Sequence, residues 1–393
     1  MNKGTNAKEK KQKNWLRRIL GIGVFVLISF GMGFLIGGIM AAALPEEHGK
    51  GTFFEMILLL VAGGYTSMLL QTVIHEAGHL VCGLISGYRF SSFRVGSVMW
   101  LWDPVSSKIR RKKMSLAGTA GQCLMSPPDL VDGRMPVLLF NMGGALANVL
   151  AAVISFGLYF LTKSIPVLSV FCILMVAMGL IFAITNGIPM RVGGVDNDGY
   201  NARAMRKDPA AIRSFWVQLK ANEQIARGVR LKDMPAEWFY VPDAEGMKNS
   251  IIAVMGVFMC NRLMDEQRFD EAEELMERLL KQETGIMGVH RSLMVGDLIY
   301  CKLLRKDSVE TIDALMSEEH KKFMKSMKTF PSVIRTDYAY TLLREKDEEK
   351  AAKILEQFDK VAGTYPYPSD IESERELLVM AAESNSTYGY CVE

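Results

Sequence analysis

The run Thr72-Val73-Ile74-His75-Glu76-Ala77-Gly78-His79-Leu80 sets two histidines four residues apart, with a glutamate directly after the first. On a helix, His75 and His79 stand one turn apart on the same face, so two imidazole nitrogens reach one metal ion. Glu76 lies roughly 100° round the helix from His75. From there it can take a proton from water held at the metal rather than bind the metal itself. In soluble helices this pattern also arises by accident. Here it sits within an apolar run, where three ionisable side chains facing lipid are costly, and a functional role is the expectation.

A catalytic zinc site has three protein ligands and keeps a fourth position for water. The third is sought in Asn186-Gly187-Ile188-Pro189-Met190-Arg191-Val192-Gly193-Gly194-Val195-Asp196-Asn197-Asp198-Gly199, where either aspartate can serve. Taken alone, Asp196-Asn197-Asp198-Gly199 reads as an Asx-rich turn. Asn148, in Gly144-Ala145-Leu146-Ala147-Asn148, is a further polar group in an apolar stretch; it serves either the site or a hydrogen bond between helices.

The elements that carry these residues are apolar runs of membrane-crossing length. The chain has 393 residues, 49% hydrophobic and 23% charged, and every long apolar run falls before residue 207. Ile19 to Ala43 is uncharged over 25 residues, against the roughly 20 that a spanning helix needs. It is also longer than the apolar core of a secretory signal, roughly 7–15 residues, so an uncleaved anchor is expected. Further runs cover Met56 to Ser86, Pro136 to Thr162 and Pro166 to Asn186, making about four spans.

Lys8, Lys10, Lys11, Lys13, Arg17 and Arg18 precede the first span. Arg89, Arg94, Lys108, Arg110, Arg111, Lys112, Lys113 and Arg134 lie between the second and third, whereas the other short loops have almost no Lys or Arg. Both basic segments, and with them the two termini, are expected in the cytoplasm. Gly33-x-x-x-Gly37 permits close helix approach within the bundle. The whole chain carries a net charge of only +3, which gives no support to nucleic-acid binding. Its six scattered cysteines form no Cys-x-x-Cys pair, so neither a disulfide framework nor a thiolate zinc site is expected.

Taken together, the motifs resemble those of the site-2 protease family of intramembrane zinc metalloproteases. That family has H-E-x-x-H in one span, Gly-x-x-x-Asn in a later one and Asp-Gly near Asn-x-x-Pro. All three occur here in that order, over residues 56 to 200. The resemblance implies Zn2+ held by His75, His79 and Asp198, Glu76 as general base and Asn148 beside the reacting peptide. It also implies hydrolysis of a peptide bond in a membrane-anchored protein or peptide precursor near the cytoplasmic face of the cell membrane. In the usual pattern the Asp-Gly follows Asn-x-x-Pro closely and is preceded by Leu. Here Met190 to Asn197 intervene and Asn197 precedes Asp198, which keeps Asp196 as a rival ligand.

Phe93, Val95, Val98, Trp100 and Trp102 alternate with other residues in the loop after the second span, as in short interfacial strands able to pair with an extended substrate or in an aromatic belt. Gly121 to Pro128 reads as irregular, in the manner of a re-entrant loop.

Residues 207–393 read as helix after helix. Asp265 to Ala272, Leu303 to Glu310 and Leu343 to Lys350 look alike, and each precedes an amphipathic helix. Setting Arg268 against Lys306 and Lys346 suggests either a tetratricopeptide-like array with a concave face for a protein or peptide partner, or a plain helical bundle. His290 and His320 have no ligand spacing around them.

The expected fold is therefore all-α: a basic tail (1–18), a polytopic membrane helix bundle (19–206) and a cytoplasmic helical, tetratricopeptide-like domain (207–393). The competing function is a non-catalytic membrane adaptor that binds partners through its helical half.

Overall fold

The computed structural model describes residues 50–103, 106–114, 119–192 and 195–386. The expected first span at 19–43, its Gly33 and Gly37, the basic tail and His48 lie outside the described residues.

Three apolar helices match the remaining expected spans: α1 (Lys50–Ile85), α2 (Leu138–Leu161) and α3 (Pro166–Gly187). Each is long and apolar enough to cross a membrane, which marks the chain as a membrane protein. Leu58, Val61, Tyr65, Leu150, Val153 and Leu161 are exposed along them, a cost in water that a lipid surface removes. α1 stops at Gly87, whose φ of +86° suits a residue without Cβ. There the amide of Tyr88 donates to Gly83 O and that of Gly87 to Leu84 O, closing a Schellman turn. Pro166 opens α3, where its fixed φ suits a first helical position and its missing N–H costs nothing.

The described chain divides into two compact units, one containing 50–71 with 147–183 and the other 72–146 with 184–386. Polar groups hold the first unit together. Asn148 donates to Gln71 O at 2.9 Å and to Gln71 Oε1 at 2.7 Å, and Gln71 donates to Met175 O at 2.9 Å. A Cβ on Gly179 would stand 2.9 Å from Asn148 O, so this close approach requires glycine.

The second unit corrects the all-α expectation. Strands β1 (Arg89–Val95), β2 (Val98–Asp103), β3 (Lys108–Lys113) and β4 (Gly121–Ser126) form an antiparallel sheet in the order β3-β2-β1-β4. Phe93 pairs with Trp100 on one side and Cys123 on the other. The alternation at Phe93 to Trp102 therefore marks two paired strands, joined through Gly96 at φ +58°. β4 has no such alternation. It is a strand because β1 offers it a partner edge, a contact distant in sequence.

A two-stranded ribbon, β5 (Arg191–Val192) with β6 (Val195–Asp196), leads into α4 (Asp198–Met205) and α5 (Pro209–Ala226). α5 packs on the sheet. Trp216 Nε1 donates to Pro128 O at 3.0 Å, and the hydroxyl of Ser126 donates to the buried carboxylate of Glu223. Tyr88, Met125, Phe140, Ile212 and Leu219 share one core there, so the sheet and the first cytoplasm-assigned helices are one packed body.

Helices α6 (Ser250–Asp265), α7 (Phe269–Lys281), α8 (Gly288–Arg305), α9 (Val309–Leu315), α10 (Glu318–Ser326), α11 (Pro331–Ala339), α12 (Glu348–Ala362) and α13 (Pro368–Ser386) complete the unit. Gln267, Lys306 and Lys346 each take the left-handed conformation shortly before α7, α9 and α12. The three similar segments thus share one turn geometry, with Gln267 rather than Arg268 equivalent to the two lysines. At the centre of these helices, Arg335 is buried between Asp297 (2.5 Å) and Glu374 (2.9 Å) and lies over the ring of Tyr300.

Candidate metal centre

His75, Glu76 and His79 are buried near the C-terminal end of α1. His75 Nε2 and His79 Nε2 are 3.2 Å apart, and Asp198 Oδ2 lies 3.1 Å from the first and 3.2 Å from the second. The three form a group able to hold a metal ion. Ligands of a tetrahedral zinc ion, at about 2.0–2.1 Å from it, stand about 3.3 Å from one another. This triangle therefore has the size that an ion would fill.

The tautomer agrees. Phe140 O is 2.8 Å from His79 Nδ1, and a carbonyl oxygen only accepts, so Nδ1 carries the ring proton. The Nε2 lone pair of His79 then faces the centre, the arrangement by which an outer hydrogen bond orients a ligating imidazole. Convergent lone pairs from two imidazoles and a carboxylate repel one another unless a cation lies between them. The donor set thus fits a divalent ion of zinc's chemistry.

Close backbone approach makes the site possible. A Cβ on Gly144 would stand 2.6 Å from His75 Nδ1, and one on Gly143 would stand 2.8 Å from Cys82 Cβ. The Gly143-Gly144 pair is legible in the apolar run but reveals its purpose only once α1 and α2 are seen together.

Asp198 is held by its neighbours. Asn197 caps α4, accepting from Tyr200 N at 2.9 Å and from Met190 N at 3.1 Å. Its amide nitrogen donates to Thr185 O at 2.7 Å and Ile188 O at 2.6 Å. The same residue that departs from the family pattern therefore ties the end of α3 to the start of α4. Gly199 packs on Gly187, where a Cβ would stand 2.7 Å from the carbonyl carbon. With no ion between them, burial works against the charge of Asp198, but the two imidazoles, when they carry a proton on Nε2, outweigh it and hold the carboxyl at about 2. It is an anion at neutral pH.

Asp196 does not join the group. It pairs with Arg191 at 2.6 Å across the β5–β6 ribbon. Asn148, in the other unit, has its amide on Gln71.

β4 begins beside Glu76: a Cβ on Gly121 would stand 2.7 Å from Glu76 Cγ. Arg94 of β1, counted in the sequence among the orienting charges, is fully buried instead. It donates to Gly96 O at 2.8 Å, to Thr119 Oγ1 at 2.5 Å and to Gly121 O at 3.3 Å. Nothing local distinguishes this arginine from its exposed neighbours in the basic loop. No family model, curated protein or solved structure matches the chain.

Proposed function

We propose that the chain is an intramembrane zinc metalloprotease, with His75, His79 and Asp198 as the ligands and Glu76 as the general base. The observation that carries this reading is the convergence of three donors from α1 and α4, 3.1–3.2 Å apart, on the helical turn that also bears Glu76. When bound, the ion supplies Lewis acidity toward a carbonyl and lowers the pKa of water. Glu76, buried beside the ligands, accepts the proton from the attacking water and returns it to the departing amine. Asp198 supplies the negative charge that balances the site, and the Phe140 carbonyl keeps His79 in its ligating tautomer.

The scissile bond must be presented in extended form, because a helical peptide shields its carbonyls. β4 is an edge of the sheet and starts at Glu76, which suits it to receive an extended segment by strand addition. Asn148 is proposed to lie beside that segment. Substrates on this reading are membrane-anchored proteins or peptide precursors cut near the cytoplasmic face, with both termini of the enzyme in the cytoplasm. The helices of 207–393 are read as a tetratricopeptide-like array that takes a protein or peptide partner.

The test is metal content of the detergent-purified protein together with cleavage of a model single-span substrate. About one zinc per chain is expected in the wild type and in Glu76→Ala, with loss in His79→Ala and Asp198→Ala, and cleavage only in the wild type. A wild type that takes up no zinc would overturn the proposal in favour of the adaptor.

A further inference from the structure

Far from the metal centre, α5, α6, α8, α11 and α13 enclose a cavity of about 310 Å³. That is within the range of small-ligand sites, roughly 300–1,000 Å³. Its wall divides by chemistry into three parts.

The first is acidic. Asp265, Asp297, Asp370 and Glu374 face the space against two guanidiniums, Arg230 and Arg335. Both arginines are already committed. Arg335 bridges Asp297 and Glu374, while Arg230 holds Asp265 at 2.6 Å and also pairs with Glu376 outside the cavity. Burial keeps a proton on Asp370 into the neutral range, and the other three carboxylates still outnumber the two cations, an excess that favours a positively charged guest.

The second part is apolar, formed by Val254, Val257, Phe258 and Leu293. The third is a pair of carboxamides, Asn222 of α5 and Asn261 of α6. Asn261 is exposed and Asn222 half-buried. Neither side chain has a hydrogen-bond partner among the described residues. A carboxamide donates and accepts at once, the pairing that a main-chain amide requires.

An ammonium group, an apolar side chain and a main-chain amide occur together at the amino end of a peptide. The geometry points to this cavity as a binding site for the free amino terminus of a short peptide with an apolar first residue. The ammonium sits among the carboxylates, the first side chain against Phe258 and Leu293, and the first peptide group on Asn222 and Asn261. A polyamine would satisfy the acidic wall but leave the apolar wall and both carboxamides unused. This inference does not rest on zinc or on proteolysis.

The test is calorimetry on the full-length protein in detergent, with the tripeptide amides Leu-Leu-Gly and Phe-Leu-Gly, their N-acetylated forms and spermidine as probes. Binding of the free-amine peptides is expected, weakened at least tenfold by acetylation and about tenfold by Asn261→Ala or Asn222→Ala. Asn261 is on the surface, so its replacement leaves the fold intact, which an unchanged melting temperature without peptide would verify. Absence of binding at millimolar peptide, equal binding of the acetylated forms, or spermidine binding as tight as the peptides would each overturn the assignment.

Discussion

Arg191 and Asp196 form an ion pair across the β5–β6 ribbon, with Nε 2.6 Å and Nη2 3.3 Å from the two carboxylate oxygens. That fork fixes Asp196 toward Arg191, while Asp198, two residues on, meets both histidines. Two aspartates equivalent in the sequence are thereby separated in role. Asp196→Asn is expected to retain zinc within about twofold of the wild type, and Asp198→Asn to lose most of it. Metal analysis of the two proteins side by side checks this, and equal losses would count against the assignment.

Asn197 gives four hydrogen bonds to the junction that aims Asp198. Replacing it with Leu, the residue of the family pattern, removes the helix cap, at a cost of about 1 kcal/mol, and frees the aspartate to turn. Zinc affinity should fall about 10–100-fold, the range typical of lost outer-shell support. Competition with a chromophoric chelator measures it. An affinity equal to that of the wild type would mean that β5 and β6 alone position the ligand.

On the proposed function, Gly121 is the position that separates metal binding from catalysis. A methyl group there would meet the Glu76 side chain before any other group. Gly121→Ala should keep its zinc while cleavage falls by at least tenfold. Parallel zinc and turnover measurements decide the point, and undiminished turnover would show that the base does not depend on the start of β4.

Burial lifts the Asp370 carboxyl to about 7, with Glu374 and Asp265 adding to the effect and the Tyr365 hydroxyl opposing it. Its ordinary value is about 3.9. Between those values the folded chain binds the proton and the unfolded chain does not. The stability contributed is therefore complete below about pH 4 and lost as pH rises through about 7. Asp370→Asn should flatten this dependence: on going from pH 5 to pH 8, the variant's melting temperature should drop several degrees less than the wild type's. Parallel curves would place the titration elsewhere.

Much of the site was readable because its chemistry is local. His75, Glu76 and His79 occupy one helical turn, and apolar run length alone located α1, α2 and α3. What stayed hidden depends on contacts between distant segments. β3 reads Lys-Ile-Arg-Arg-Lys-Lys, which no strand propensity selects, and β4 looks irregular until it lies along β1. Arg94 is interchangeable with its neighbours on paper, yet its terminal nitrogens find Gly96 O, Gly121 O and Thr119 and the side chain is buried. Asn197 seemed a defect in the family motif because its partners, Thr185 and Ile188, belong to the preceding helix and its exit.

The two rims of the small sheet are not alike. β3, the outer strand opposite β4, carries Lys108, Arg110, Arg111, Lys112 and Lys113, nearly all exposed, with Arg110 paired to Asp103. A sheet margin is an invitation to any extended chain, including another copy of the same protein, and like charges withdraw it. Growth of the sheet is thereby polarised: a second molecule crowding the same bilayer meets a cationic barrier on one side. The concentrated protein should resist rim-to-rim polymerisation in proportion to that charge, and a chain with β3 neutralised should be the first to form fibrils.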